Sequence, residues 1–165
     1  MLDAVEPFGY VGFDSWRRMS CLAALLLLPL VARAEEHGHE HHAPHKGALI
    51  VLGEEFAHLE LLLAADGKLT GYVLDGEAEK AVRVKPEKIE LKIDKIGEQP
   101  AAMTVTLDTV ANVLTGERAG DSSEFSATVD ALKGAKTFEG MIVAITVRGK
   151  EFRDVKFKFP QGNEH

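Results

Sequence analysis

The chain has 165 residues, of which 45% are hydrophobic and 27% charged, a balance typical of a folded globular protein. Its formal net charge of −7 disfavours a nucleic-acid partner, which would bind against electrostatic repulsion. The single cysteine excludes an internal disulfide framework and a cysteine-based zinc site. The length accommodates one domain with additional segments.

An uninterrupted apolar run, CLAALLLLPLVA, occupies residues 21–32. It is shorter than the roughly 20 residues that span a bilayer as a helix, but it fits the apolar region of a signal peptide. Two arginines, Arg17 and Arg18, precede the run, and the sequence ARA at 32–34 has the pattern of a cleavage site. The alternative is a buried core helix. We predict that residues 1–34 are a signal peptide and that the protein is periplasmic or otherwise exported, with no membrane span after cleavage.

A histidine-rich stretch follows the predicted cleavage site. Five of the seven histidines lie within nine residues: His37, His39, His41, His42 and His45. Imidazole is a common ligand of late divalent metals, and a tract of this composition signals metal binding without selecting the metal. The alternatives are a solvated acidic linker and a purification tag. We predict that residues 35–46 form a disordered, flexible tether that binds a divalent transition metal ion (Cu, Zn, Ni or Co).

Alternation of apolar and polar residues predicts β-strands throughout residues 47–160. Ile89, Leu91 and Ile93 alternate with charged side chains, and later runs repeat this period of two. Turns rich in glycine and charged residues predict three hairpins: 47–52 with 56–63, 56–64 with 68–74, and 141–148 with 151–159. An all-β fold of about seven to nine short antiparallel strands favours an immunoglobulin-like β-sandwich, with a small barrel as the alternative.

Two segments within the predicted domain and one segment after it lack the alternating pattern of strands. Residues 109–121 lack a clear period, and we expect their apolar side chains Val110, Val113 and Leu114 to cap one end of the sandwich. Residues 130–133 are expected to form one helical turn. Residues 161–165 are predicted to be a flexible tail.

Inside the predicted sheet, strand alternation places His58 and Glu60 on one face, which we expect to be exposed to solvent. Such a pair could bind a cation with help from His45 or the rest of the tract. The alternative is a surface histidine beside a carboxylate. Motifs for nucleophilic, phosphate-binding or zinc-peptidase chemistry are not found, so we do not expect an enzyme.

Several short motifs carry a resemblance to a known group of proteins. They are a signal peptide, a His-rich stretch ending in PHKGA (44–48), EFAHLEL (55–61), YVLDGE (72–77) and GKEF (149–152). In these motifs the chain resembles small exported bacterial proteins that accompany heavy-metal efflux systems. It is also similar to the His-rich N-terminal module of some periplasmic efflux-pump adaptors. The resemblance implies a role in periplasmic metal handling, with a pump adaptor as partner; the alternative is a non-enzymatic interaction module of the cell envelope with incidental histidines.

N-terminal sequencing of the exported protein is expected to begin at Glu35, because the ARA pattern places cleavage after Ala34. An exported form that retains residues 22–32 would contradict the signal-peptide assignment.

Overall fold

The computed structural model describes residues 42–163, which form eight antiparallel strands and one 3-10 helical turn. The predicted signal peptide (1–34), three tract histidines (His37, His39 and His41) and the last two residues lie outside the described residues. The strands are β1 (Ala48–Leu52), β2 (Ala57–Leu63), β3 (Lys68–Leu74), β4 (Lys88–Ile96), β5 (Gln99–Thr109), β6 (Glu124–Thr128), β7 (Phe138–Val147) and β8 (Lys150–Phe159). No helix within residues 42–163 has the length and apolar character needed to cross a membrane.

All eight strands belong to one hydrogen-bonded sheet in the order β1-β2-β3-β6-β5-β4-β7-β8. The two outermost strands, β1 and β8, approach each other, so the sheet nearly closes on itself. The prediction of an all-β antiparallel fold is confirmed, as are the three predicted hairpins. The predicted helical turn is present at Asp130–Leu132.

The main core lies on the inner face of this sheet and contains apolar side chains from every strand. In β4, Ile89, Leu91 and Ile93 are fully buried, whereas the residues between them, such as Glu90 and Lys92, are exposed. Because side chains alternate between the two faces of a strand, the period of two in the sequence places one face in the core and the other in solvent.

The gap between β1 and β8 is bridged by the residues that follow β8. The Val51 N–H donates to the Asn163 side-chain oxygen at 2.7 Å, and the Asn163 amide donates to the Val51 carbonyl at 3.2 Å. Gly162 pairs with Lys158 through backbone hydrogen bonds, and a Cβ at Gly162 would lie 1.9 Å from the Leu49 carbonyl oxygen. Gly162 and Asn163, which belong to the predicted flexible tail, are therefore bonded to the sheet.

The loop between β5 and β6 differs from its prediction. Val113 and Leu114 are 95% and 94% exposed, so they do not cap the domain as expected. The loop folds back on itself instead, because Asn112 and Glu117 exchange two backbone hydrogen bonds of 3.0 Å. The Asn112 side-chain oxygen also accepts from the Leu114 N–H at 3.0 Å. This tight turn leaves the two apolar side chains at its tip.

Replacing Asn163 with alanine is expected to lower the free energy of unfolding by about 1–2 kcal/mol, because the Val51 N–H and C=O would lose their protein partners. The exposed neighbour Gln161 offers a matched control, and its alanine variant should change stability by less than about 0.5 kcal/mol. Urea denaturation measures both. Equal stability of the two variants would show that the Asn163 bridge contributes nothing.

Candidate functional site

A second, smaller apolar cluster lies on the outer face of the sheet, across β1, β2 and β3. Leu49, Leu74 and Ala78 are buried there, and Tyr72 packs against them. We call these four residues the outer-face cluster. It is flanked by the loop of residues 75–80, which contributes Ala78. The segment of residues 42–47, here named the histidine turn, packs over the same part of the sheet.

His58 and Glu60 lie on the same face of β2, as predicted, but that face is not exposed. Both residues are 0% exposed, so the expectation of a solvated face or a surface histidine is wrong. In register, Glu60 lies between Leu49 of β1 and Tyr72 of β3. Strand alternation identifies which residues share a face, but it does not reveal that the histidine turn and the loop at 75–80 cover that face.

The Glu60 carboxylate is the centre of the contacts made by the histidine turn. Its Oε1 accepts hydrogen bonds from the backbone N–H groups of His45 at 2.9 Å and Gly47 at 2.8 Å. Its Oε2 lies 2.8 Å from Nδ1 of the His45 imidazole. A buried carboxylate is costly unless its oxygens are satisfied, and these three donors supply that compensation.

The local sequence explains how the chain reaches Glu60. Lys46 adopts a left-handed conformation with φ of 63°, and its N–H donates to the Ala43 carbonyl at 3.0 Å, which closes a turn. Gly47 then lies directly against β2, where a Cβ would approach the Leu61 carbonyl oxygen to 2.5 Å. Only glycine permits so close an approach of the two backbones.

The His45 ring is held by a second contact, a stack on Tyr72 with ring centroids 4.0 Å apart and an interplanar angle of 16°. The His45 side chain is still 42% exposed. His45 therefore lies between a fixed aromatic ring and a fixed carboxylate.

Burial raises the pKa of the Tyr72 hydroxyl above its ordinary value, and the negative charges of Glu124 and Glu60 and a hydrogen bond to Glu124 raise it further.

His58 has a different partner on the same face. Its Nδ1 lies 2.9 Å from the backbone carbonyl oxygen of Asp75, an atom that can only accept, so Nδ1 is the donor. The Asp75 side chain accepts from the N–H groups of Glu79 at 3.0 Å and Lys80 at 3.1 Å. Burial opposes ionisation of Asp75, but these two backbone hydrogen bonds, together with the positive charges of Lys80 and Arg148, hold its pKa below the ordinary value. His58 thus ties β2 to the loop that carries Ala78.

The predicted metal ligands are only partly brought together. His45 and Glu60 are in direct contact, His58 is directed to the loop at 75–80, and His42 is exposed. Within residues 42–163, no group of three or more histidine, cysteine, aspartate or glutamate side chains is arranged to hold a metal ion. A metal held at His45 would need further ligands, and the remaining tract histidines have the donor chemistry to supply them.

Two residues important to this arrangement were missed at the level of sequence. Tyr72 is on β3, paired with Glu60, and only the strand register reveals its proximity to His45. Gly47 follows a Pro-His-Lys turn, and a glycine after such a turn is a signal of close backbone approach that could have been used.

Comparison of the chain with protein-family models, with curated proteins and with solved structures finds no match.

Replacing Glu60 with alanine is expected to lower the free energy of unfolding by about 3 kcal/mol, because it removes the common acceptor of three donors. Glu90, an exposed glutamate in the strand β4, provides the control, and its alanine variant should cost less than about 0.5 kcal/mol. Urea unfolding followed by circular dichroism compares them. A Glu60 variant as stable as the Glu90 variant would refute the role given to this carboxylate.

Tyr72 is the only tyrosine after residue 34, so an absorbance titration of the chain from Glu35 reports on it alone. We expect its midpoint to lie above the ordinary value of about 10. Because the folded-state pKa is raised, the unfolded chain ionises first, and stability should fall as pH rises above about 10. The Tyr72→Phe variant should lose less stability over that interval, whereas a midpoint at the ordinary value would contradict the arrangement.

Proposed function

We propose that this protein is an exported, periplasmic metal-binding accessory protein that captures or buffers a divalent transition metal ion beside a heavy-metal efflux system. The observation that carries the proposal is the position of His45, the last histidine of the tract. It is bonded to the buried Glu60, so the tract continues directly from a fixed point on the β domain. The composition of the tract and the resemblance to efflux-associated proteins support the same conclusion.

The physical advantage of this attachment is entropic. A disordered tract must order its backbone when several side chains bind one ion, at a cost of about 1–2 kcal/mol per residue. His45 and Gly47 are already ordered by their hydrogen bonds to Glu60. A metal bound there needs only the remaining ligands to be recruited. Interchangeable imidazoles suit a protein that collects ions and releases them to a partner such as a pump adaptor.

The test is isothermal titration of the exported chain with Cu²⁺, Zn²⁺, Ni²⁺ and Co²⁺. A variant with asparagine at all five tract positions is expected to lose tight binding of whichever ion the native chain prefers, because its imidazole donors are gone. The control replaces Glu35, Glu36 and Glu40 with glutamine, which keeps the imidazoles and removes neighbouring charge. Equal affinity in the native and five-asparagine chains would refute the proposal.

A second candidate function is a non-enzymatic interaction module of the cell envelope. The observation that favours it is the pair Val113 and Leu114, which are almost fully exposed at the tip of the loop between β5 and β6. Glu117 strengthens this loop by accepting from the Ser123 N–H at 2.9 Å and from the Thr115 hydroxyl at 2.6 Å. A preformed loop with an apolar tip is suited to insertion into a partner.

Association with an envelope partner should be lost in the Val113→Ser, Leu114→Ser double variant if this second function is correct. The same association should survive a chelator and the five-asparagine substitution. Pulldown from cross-linked envelopes measures it. A complex that depends on metal and not on the loop would favour the first function.

A further inference from the structure

His45 has a fixed position on the β domain, because its ring contacts both Glu60 and Tyr72. We infer that His45 is the anchoring ligand for a divalent transition metal ion, that it binds through Nε2, and that Glu60 is the positioning residue that makes this atom available. The inference rests on the proposed function and names the ligand atom and its support. It distinguishes His45 from the other histidines of the tract, which composition alone makes equivalent.

The hydrogen-bond network assigns the tautomer of His45. A carboxylate has no proton to donate, so the 2.8 Å contact between Oε2 of Glu60 and Nδ1 of His45 requires the proton to be on Nδ1, while Oε1 accepts from two backbone N–H groups. In the neutral ring one nitrogen carries the proton and the other a lone pair. With the proton of His45 on Nδ1, Nε2 has the lone pair that a metal requires. A carboxylate behind a ligating histidine also increases the basicity of the ring and fixes its orientation.

The surroundings of His45 leave it accessible to an ion. Its ring is fixed by the stack on Tyr72, yet its side chain is 42% exposed. His58 shows the contrast, since its Nδ1 also donates to an oxygen but its side chain is fully buried under the same part of the fold. His42 is exposed and lies three residues before His45 in the chain. Within the described residues 42–163, His45 alone combines a fixed ring with exposure to solvent.

Borderline Lewis acids such as Zn²⁺, Cu²⁺, Ni²⁺ and Co²⁺ prefer imidazole nitrogen, whereas Mg²⁺ and Ca²⁺ prefer oxygen. Among the described residues, the carboxylate in contact with His45 is that of Glu60, which is buried and already accepts from three donors. The structure therefore points to a nitrogen-ligated transition metal and not to an alkaline-earth ion.

The decisive variant is Glu60→Gln, which has nearly the same shape. The glutamine oxygen can still accept from the two backbone N–H groups, but the amide nitrogen that replaces Oε2 can only donate. Nδ1 must then accept, and the proton moves to Nε2, the proposed ligand atom. Nitrogen-15 NMR of the metal-free protein is expected to show the His45 proton on Nε2 instead of Nδ1. The dissociation constant for Zn²⁺ is expected to rise 10- to 100-fold. Glu90→Gln is the control and should bind as the native chain does.

Single substitutions in the exported chain test the rank of the ligands. His45→Asn is expected to weaken Zn²⁺ binding at least tenfold, and His42→Asn only a few-fold, because the remaining tract can substitute for His42. Equal losses in the two variants would overturn the inference. The proposed function would still stand in that case, provided that the five-asparagine chain had lost binding.

The native protein supplies a test that does not depend on the folding of any variant. Its metal-free NMR spectrum should show His45 protonated at Nδ1, and the first fraction of an equivalent of Zn²⁺ should shift Nε2 of His45 before the other tract histidines. A His45 protonated at Nε2, or early shifts confined to other histidines, would overturn the inference whether or not Glu60→Gln folds.

Discussion

The buried carboxylate of Glu60 is the constraint on which the outer face of this protein depends. A carboxylate removed from water is stable only when hydrogen bonds replace its hydration. Here the replacement comes from a segment that is distant in the sequence, because His45 and Gly47 precede β1 whereas Glu60 lies in β2. These hydrogen bonds therefore hold the histidine turn against the sheet. Once it is there, His45 stacks on Tyr72, which packs against the outer-face cluster.

This constraint also changes where the domain begins. By composition, the tether would extend to residue 46 and the domain would start at 47. The hydrogen bonds to Glu60 make His45 part of the domain, although it is also the last histidine of the tract. One residue thus belongs to both parts of the chain. His45 connects the histidine turn to β2 through Glu60 and to β3 through the stack on Tyr72.

The local features of the fold could be predicted from the sequence, and its long-range features could not. Strands and hairpins follow from alternation and turn residues, both of which act over a few positions, and Ile89, Leu91 and Ile93 show this. The pairing of β3 with β6 and of β4 with β7 joins residues far apart in sequence, and alternation carries no information about it. The bridge from Asn163 to Val51 is invisible for the same reason.

The candidate site shows the same division. The shared face of His58 and Glu60 is a local property and was predicted, whereas their burial depends on two covering segments and was not. Val113 and Leu114 illustrate the opposite error, because apolar character suggested burial while the hydrogen bonds of Asn112 and Glu117 determined exposure. His58 and His45 both donate from Nδ1 to an oxygen, but His58 lies under a covering segment and His45 is part of one. The histidine turn, which covers the Glu60 carboxylate, thus also carries the His45 imidazole. This imidazole is exposed to solvent, whereas that of His58 on β2 is buried beneath covering residues.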